Sequence, residues 1–210
     1  RGREPREIGV TSEFLVYLRL GFEHIADVRG YDHILFIVAL TAMYRFGEWR
    51  QVLVLVTAFT VGHSVTLFLA TTRILTIDSN LVETLIPATI LATSLLSVLE
   101  AAVSPAEFSE PRSGRLTKYT LATGFGLIHG MGFSNFLRAA LGSEESIGLP
   151  LLAFNVGLEV GQILIVVTVL ALSAIVVRVL GMARRDWILV LSGAIAGISI
   201  LLLAERLGGG

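Results

Sequence analysis

Six long apolar stretches constrain this chain more than any other feature of its sequence. A helix needs about 20 mostly apolar residues to cross the hydrocarbon core of a bilayer. The stretches are 31–46, 51–72, 81–103, 119–141, 149–180 and 187–203. Because 54% of the 210 residues are hydrophobic and only 16% are charged, an ordinary soluble domain is excluded. We therefore predict an all-α integral membrane protein, a single domain of residues 1–210 with six transmembrane helices.

The segment before the first stretch has a mixed pattern. Residues 11–28 place apolar side chains such as Phe14, Leu18 and Ile25 at helical spacing, and charged residues such as Arg19 and Glu23 interrupt them. This pattern predicts an amphipathic helix that lies on the membrane or packs over the helix bundle.

Positive charge in the short loops predicts the orientation of the helices. One side of the six-helix arrangement carries eight basic residues: Arg45, Arg50, Arg112, Arg115, Lys118, Arg178, Arg184 and Arg185. Leaving out the N-terminal arm, the other side carries only three, which are Arg73, Arg138 and Arg206. We therefore expect both termini to face away from the cytoplasm, which is the periplasm if the chain lies, as we expect, in a bacterial inner membrane.

The charge balance and the absence of cysteine exclude several classes of function. The 16 basic and 17 acidic residues give a net charge of −1, so the chain lacks the basic surface that nucleic acid requires. Without cysteine there is no disulfide, thiolate metal site or cysteine nucleophile. The expected partners are membrane lipid and a metal ion held by His, Asp or Glu, and small-residue helix faces leave a homo-oligomer open.

Ionisable residues inside apolar stretches are the candidates for function, because the membrane makes them costly. The chain has four histidines, His24, His33, His63 and His129, and none lies in the charged linker 104–118. The carboxylates near or within the stretches are Asp32, Glu83 and Glu159, and Glu159 shares a helix face with Asn155 and Gln162.

Most of these residues are expected at similar depth, in the outer half of the bundle. Imidazole and carboxylate ligands without sulfur suit Zn, Ni or Co, and facing helices commonly supply such ligands. We predict a divalent metal site formed by His33, His63, His129, Asp32 and Glu159, with His24 as a further candidate. A proton relay or a structural polar network is an alternative use of the same residues.

Glycines cluster beside the candidate ligands. Gly62 precedes His63, Gly126 and Gly130 flank His129, and Gly157 and Gly161 flank Glu159. Small residues let membrane helices approach closely, so these glycines are expected to bring ligand helices together or to permit a local break beside the site. Gly193 and Gly197, in a stretch without ionisable partners, are expected to serve packing alone.

Several motifs together resemble one family of membrane proteins. They are GYDHILF at 30–36, FTVGHSVTL at 59–67, VE at 82–83, FGLIHGMGF at 125–133 and FNVGLEVGQ at 154–162. This order, over five of the six stretches, resembles the HupE/UreJ family. The resemblance implies a nickel or cobalt permease associated with hydrogenase or urease maturation, in which a histidine followed after five residues by Asp-His handles the metal. Asp32 and His33 match that motif directly, whereas seven residues separate His24 from Asp32, a departure from the family spacing.

Two functions from different classes follow. In the transport hypothesis, Asp32 and His33 capture the ion, His63 and His129 replace part of its water shell, and Glu159 compensates its charge. In this hypothesis only Glu100 provides an ionisable group in the inner half.

In the enzyme hypothesis, His33, His63 and His129 bind a catalytic zinc, and Glu159, Asp32 or Glu83 acts as general base toward a lipid or peptide. The chain contains no HExxH motif, the usual signature of a zinc protease, and the resemblance favours transport.

Overall fold

The computed structural model describes residues 5–28, 30–103, 112–141 and 147–208, and these residues contain helices but no strands. The helices are α1 (Pro5–Ala26), α2 (Asp32–Thr41), α3 (Trp49–Thr71), α4 (Ser79–Val103), α5 (Arg112–Gly132), α6 (Ser134–Leu141), α7 (Gly148–Arg178) and α8 (Arg184–Gly208), with a 3-10 turn, Phe46–Glu48, before α3. The all-α prediction is therefore confirmed.

Four segments of the described residues are long and apolar enough to cross a membrane by length and composition. They are Phe46–Thr71, Ser79–Val103, Gly148–Arg178 and Arg184–Gly208. Many of their apolar side chains, such as Leu164 and Leu201, remain exposed on the outside of the bundle. Such a surface suits lipid rather than water, so the chain has the character of an integral membrane protein.

Two predicted stretches have different bounds in the structure. The first, 31–46, contains only the ten-residue helix α2, which at 1.5 Å per residue is about 15 Å long, half the hydrocarbon thickness. The fourth, 119–141, is divided at Phe133 into α5 and α6. The break directly follows Gly130 and Gly132, which weaken a helix because glycine loses the most backbone entropy on ordering.

The helices pack in three close pairs, α1 with α7, α3 with α5 and α4 with α8. In the first pair Gly157 packs against Leu18 and Gly161 against Ile25, so α1 and α7 run parallel. The helix predicted at 11–28 is thus a longer helix, Pro5–Ala26, that packs along α7.

The two ends of the bundle differ in charge. At one end, Lys118 pairs with Glu100, the Arg184 guanidinium donates to the Met43 carbonyl, and Arg185 donates to the Ala101 carbonyl. We call this the basic end.

At the opposite end, Glu83 on α4 pairs with Arg206 on α8. Arg138 on α6 donates to the Ala70 carbonyl near the end of α3. Charged groups thus lie at the two ends, and the four histidines lie between them.

Candidate metal centre

Four imidazole rings from four different helices meet between the two ends of the bundle. α1 provides His24, α2 provides His33 in its first turn, α3 provides His63, and α5 provides His129. The centroid of the His33 ring lies 4.6 Å from that of His24, 6.0 Å from that of His63 and 5.1 Å from that of His129. His33, His63 and His129 are buried, with exposed fractions of 5%, 0% and 0%.

Three of these histidines can share one ion. Ligand atoms of His24, His33 and His63 all lie within 4.8 Å of one another. Nε2 of His24, Nε2 of His33 and both ring nitrogens of His63 are buried without a hydrogen-bond partner. A buried polar atom without a partner is costly, and a metal ion would satisfy all three rings together. We call His24, His33 and His63 the histidine trio.

His24 belongs to this trio although its spacing from Asp32 departs from the family motif. The close packing of α1 on α7 places its ring 5.9 Å from that of His63 and 3.8 Å from the ring of Phe133. The sequence spacing along the chain from His24 to Asp32 matters little here, because the two residues lie on separate helices.

His129 lies beside the trio and makes a different contact. Its Nε2 lies 3.0 Å from the Thr89 hydroxyl on α4, whereas its Nδ1 is buried without a partner. The trio therefore contains His24 where the sequence prediction had His129, and His129 is the fourth ring of the cluster.

Asp32 holds the His33 ring in place. Asp32 Oδ1 accepts a hydrogen bond from the His33 backbone N–H at 2.9 Å and lies 3.1 Å from His33 Nδ1. When Nδ1 carries the proton and donates it to this carboxylate, Nε2 keeps a lone pair for a metal. A carboxylate that orients a ligating histidine in this way also increases its basicity.

Aromatic rings surround the cluster and exclude water from it. Phe36 and Phe59 lie 5.0 Å and 5.3 Å from the His129 ring, and Phe154 lies 5.7 Å from that of His24. All three phenylalanines are almost completely buried. An apolar shell of this kind lowers the local dielectric constant and controls solvent access to a metal site.

The two glutamates of the sequence prediction make other contacts. Glu159 on α7 accepts a hydrogen bond from the Thr57 hydroxyl at 2.7 Å, beside a second α3–α7 bond from Thr60 to Gln162 at 2.8 Å. Glu83 pairs with Arg206 and lies six residues, about 9 Å of helix, from Thr89.

Asn155, on the same helix as Glu159, has a buried Oδ1 without a hydrogen-bond partner. It follows Phe154, which contacts the His24 ring. This oxygen lies on the face of α7 that was predicted to carry polar groups.

Glycines allow the ligand-bearing helices to come this close. In the α3–α5 pair, a Cβ on Gly62 would collide with the Thr123 backbone, and one on Gly126 with the Phe59 backbone. In the α1–α7 pair, Gly21 meets the Phe154 backbone and Gly157 meets that of Leu18. Both roles expected of the glycines are found. They let helices approach closely, and the helix breaks directly after Gly132. Gly193 and Gly197, in contrast, face open space.

Sequence reasoning did not identify Thr89 or Phe133, which contact His129 and His24. Thr89 had a recognisable signal, because Thr93 and Ser97 follow it at intervals of four within an apolar stretch. Phe133 ends the FGLIHGMGF motif, but its contact with His24 could not be predicted, because it depends on the break between α5 and α6.

Comparison with known proteins agrees with the resemblance seen in the motifs. The family model described as HupE / UreJ protein matches residues 4–206, nearly the whole chain and all four histidines. No curated protein and no solved structure matches the chain. With its apolar helices and its motifs in the same order, this chain belongs to the HupE/UreJ family.

Proposed function

We propose that this protein transports a divalent transition-metal ion of the Ni or Co type across the membrane, with the ion as cargo rather than resident cofactor. One observation carries the proposal: the buried His33 and His63 and the partly buried His24, from three helices, direct ring nitrogens without partners at a shared space. Neutral imidazole binds borderline metals well. The family is associated with nickel and cobalt, which supports the same conclusion.

The ligand atoms of the trio lie somewhat farther apart than they would around a bound ion. A tetrahedral ion with nitrogen bonds of 2.0–2.1 Å, as for zinc, keeps its ligand atoms about 3.3 Å apart. The trio spans up to 4.8 Å, so its rings have to close by about 1.5 Å around an ion.

Asp32 and Glu159 have separate parts in this proposal. Asp32 orients His33 and offsets the charge of the ion at short range. Glu159, hydrogen-bonded to Thr57, contributes negative charge from farther along α7. His129 is the ring to which the ion passes after the trio, because its Nδ1 has no partner and its centroid is 5.1 Å from that of His33.

The membrane arrangement that we propose has six crossings, with α1 packed beside α7, and with both termini periplasmic. It is supported by the basic end, where Lys118, Arg184 and Arg185 lie together. Because positive charge favours the cytoplasmic side, we expect the opposite end, with Glu83 and Arg206, to lie outside. In this arrangement α2 and the segment before it share one crossing, and α5 and α6 share another.

The alternative of a zinc hydrolase has less support. It requires a general base beside the metal, yet Glu159 is bonded to Thr57 and Glu83 to Arg206. Asp32 is the one candidate base in contact with a cluster histidine among the described residues, and its Oδ1 is engaged by His33.

Nickel uptake into sealed proteoliposomes tests the proposal. The wild type should accumulate nickel behind a metal-sensing dye, and His33→Gln and His63→Gln should each reduce uptake at least tenfold. Ser94→Ala is the matched control, because Ser94 is also buried but bonds only to the Ile90 carbonyl of its own helix. No uptake by the folded wild type, together with zinc-dependent hydrolysis of lipid or peptide in detergent, would overturn transport in favour of the enzyme.

A further inference from the structure

A file of polar side chains on α4 leads from the histidine cluster towards the basic end. It begins at Thr89, whose hydroxyl lies 3.0 Å from His129 Nε2. Thr93, Ser97 and Glu100 follow on the same helix face, at offsets of four, eight and eleven residues. Thr93 and Ser97 are buried, with exposed fractions of 8% and 5%. We call these four residues the α4 polar file.

A cavity of about 230 Å³ lies along Thr93, Ser97 and Glu100 of the α4 polar file. The opposite walls come from α2 and α5 and are mostly apolar, with Leu40 and Phe125 among them. Since about 10–15 Å³ is enough for one water molecule that has polar partners, the cavity has room for water beside Thr93, Ser97 and Glu100. It therefore provides a place where a hydrated cation meets hydroxyl oxygens inside an otherwise apolar bundle.

An aromatic layer separates this cavity from the histidine trio. The Phe36 ring lies 5.0 Å from that of His129 and 6.0 Å from that of Phe125, which lines the cavity. Phe36 is completely buried. Passage from the cluster to the cavity thus requires this ring to move, and Thr89 beside it provides the polar contact on the way.

An ion pair closes the other end of the cavity. Lys118 Nζ lies 2.9 Å from Glu100 Oε2, 3.8 Å from Met43 Sδ and 5.8 Å from the centre of the Tyr44 ring. Both partners of the pair line the cavity. In this position the ammonium group repels a divalent cation and occupies the carboxylate that would attract one.

We infer that this cavity is the inner exit route of the transported ion. Thr93 and Ser97 bind the ion on its way, and the Glu100–Lys118 pair is the gate. This inference rests on the proposed transport function. The ion leaves His129 past Thr89, regains water in the cavity, and reaches the basic end when Glu100 exchanges Lys118 for the cation. The route supplies the inner half of the path, where the sequence offered only Glu100.

The absence of cysteine from the chain makes the route testable by single-cysteine variants. Ser97→Cys places a thiol in the cavity wall, and Ser94→Cys places one on the same helix in a buried position outside that wall. A water-soluble methanethiosulfonate reagent, added to each side of the proteoliposomes in turn, should label Ser97→Cys from the basic end and slow nickel uptake at least fivefold. Ser94→Cys should stay unlabelled, with uptake unchanged.

Variants of similar size test the role of Thr93 and that of the Glu100–Lys118 gate. Thr93→Val should reduce uptake at least fivefold while nickel affinity at equilibrium stays within twofold of the wild type, because the trio is intact. Glu100→Gln should also slow uptake, whereas Lys118→Met, which removes the repelling charge and leaves Glu100 free to attract the cation, should speed it.

The outcomes separate this inference from the function on which it rests. If the wild type takes up nickel and labelled Ser97→Cys transports at the same rate, the exit route is wrong and transport stands. If the wild type binds nickel but takes none up, transport is wrong and the route is wrong with it. Equal labelling of Ser94→Cys and Ser97→Cys would also overturn the route.

Discussion

Adding one methyl group at Gly157 should both destabilise the protein and weaken its metal binding. A Cβ built on Gly157 lies 2.7 Å from the Leu18 carbonyl carbon and 3.0 Å from Phe22 N, and closer still to the Leu18 oxygen. Ordinary carbon–carbon contact is about 3.5–4.0 Å, so α1 has to move away from α7 by about 1 Å. The obstruction is backbone, which cannot rotate aside as a side chain can.

The magnitude follows from two opposing effects. Overpacking a well-packed interior costs about 1–3 kcal/mol, and a backbone collision belongs at the upper end of this range. Replacing glycine by alanine in a helix recovers up to about 1 kcal/mol of helix propensity. The net loss for Gly157→Ala is therefore about 2 kcal/mol, which for a domain of this size lowers the Tm by about 4–8 °C.

The same displacement reaches the metal centre, because α1 carries His24. The ligand atoms of the trio lie within 4.8 Å of one another, and moving one ring by about 1 Å disturbs the spacing on which shared coordination depends. Loss of a group that positions a metal ligand commonly reduces affinity about 10–100-fold. We therefore expect Gly157→Ala to lower nickel affinity by about tenfold, measured by isothermal titration calorimetry in detergent alongside the Tm.

Gly193→Ala on α8 is the matched control, because a Cβ there has open space around it. Its Tm should equal or exceed that of the wild type, with nickel affinity unchanged. If Gly157→Ala behaves like Gly193→Ala in both measurements, the close packing of α1 on α7 does not position His24, and the reasoning is refuted.

Four further predictions concern the ion and the topology. Asp32→Asn should lower nickel affinity about 10–100-fold in calorimetry, because the amide orients His33 less strongly than the carboxylate does. Glu159→Gln should have a smaller effect because its carboxylate bonds Thr57, and a larger loss than that of Asp32→Asn would instead place Glu159 on the ion. Cysteines introduced at Ser79 and Ser113 should label from opposite sides of intact cells, and labelling of both from outside would contradict six crossings. Nickel affinity should also fall on acidification from about pH 7.5 to about pH 5.5, since protons compete for the imidazole nitrogens, and a pH-independent affinity would argue against histidine ligands.

The sequence alone was sufficient for the class of fold and for most of the residues at the centre. Apolar runs such as 149–180 have to be long helices, because backbone groups in hydrocarbon need partners within their own segment. The same cost makes ionisable residues in these runs conspicuous, and His33 and His63 were identified for that reason. The family, too, was identified correctly from motifs that are local in the chain.

Only the tertiary structure decided which of these groups meet. His24 joins the trio because glycines let α1 approach α7, and Glu83 stands apart because the α4–α8 pair brings it to Arg206. Helix periodicity states which residues share a face, but it contains no information on which faces touch, or on a break such as that at Phe133. Those features depend on contacts between residues far apart in the chain, such as Gly157 with Leu18. The positions of the candidate metal ligands depend on these contacts, and a linear pattern does not encode them.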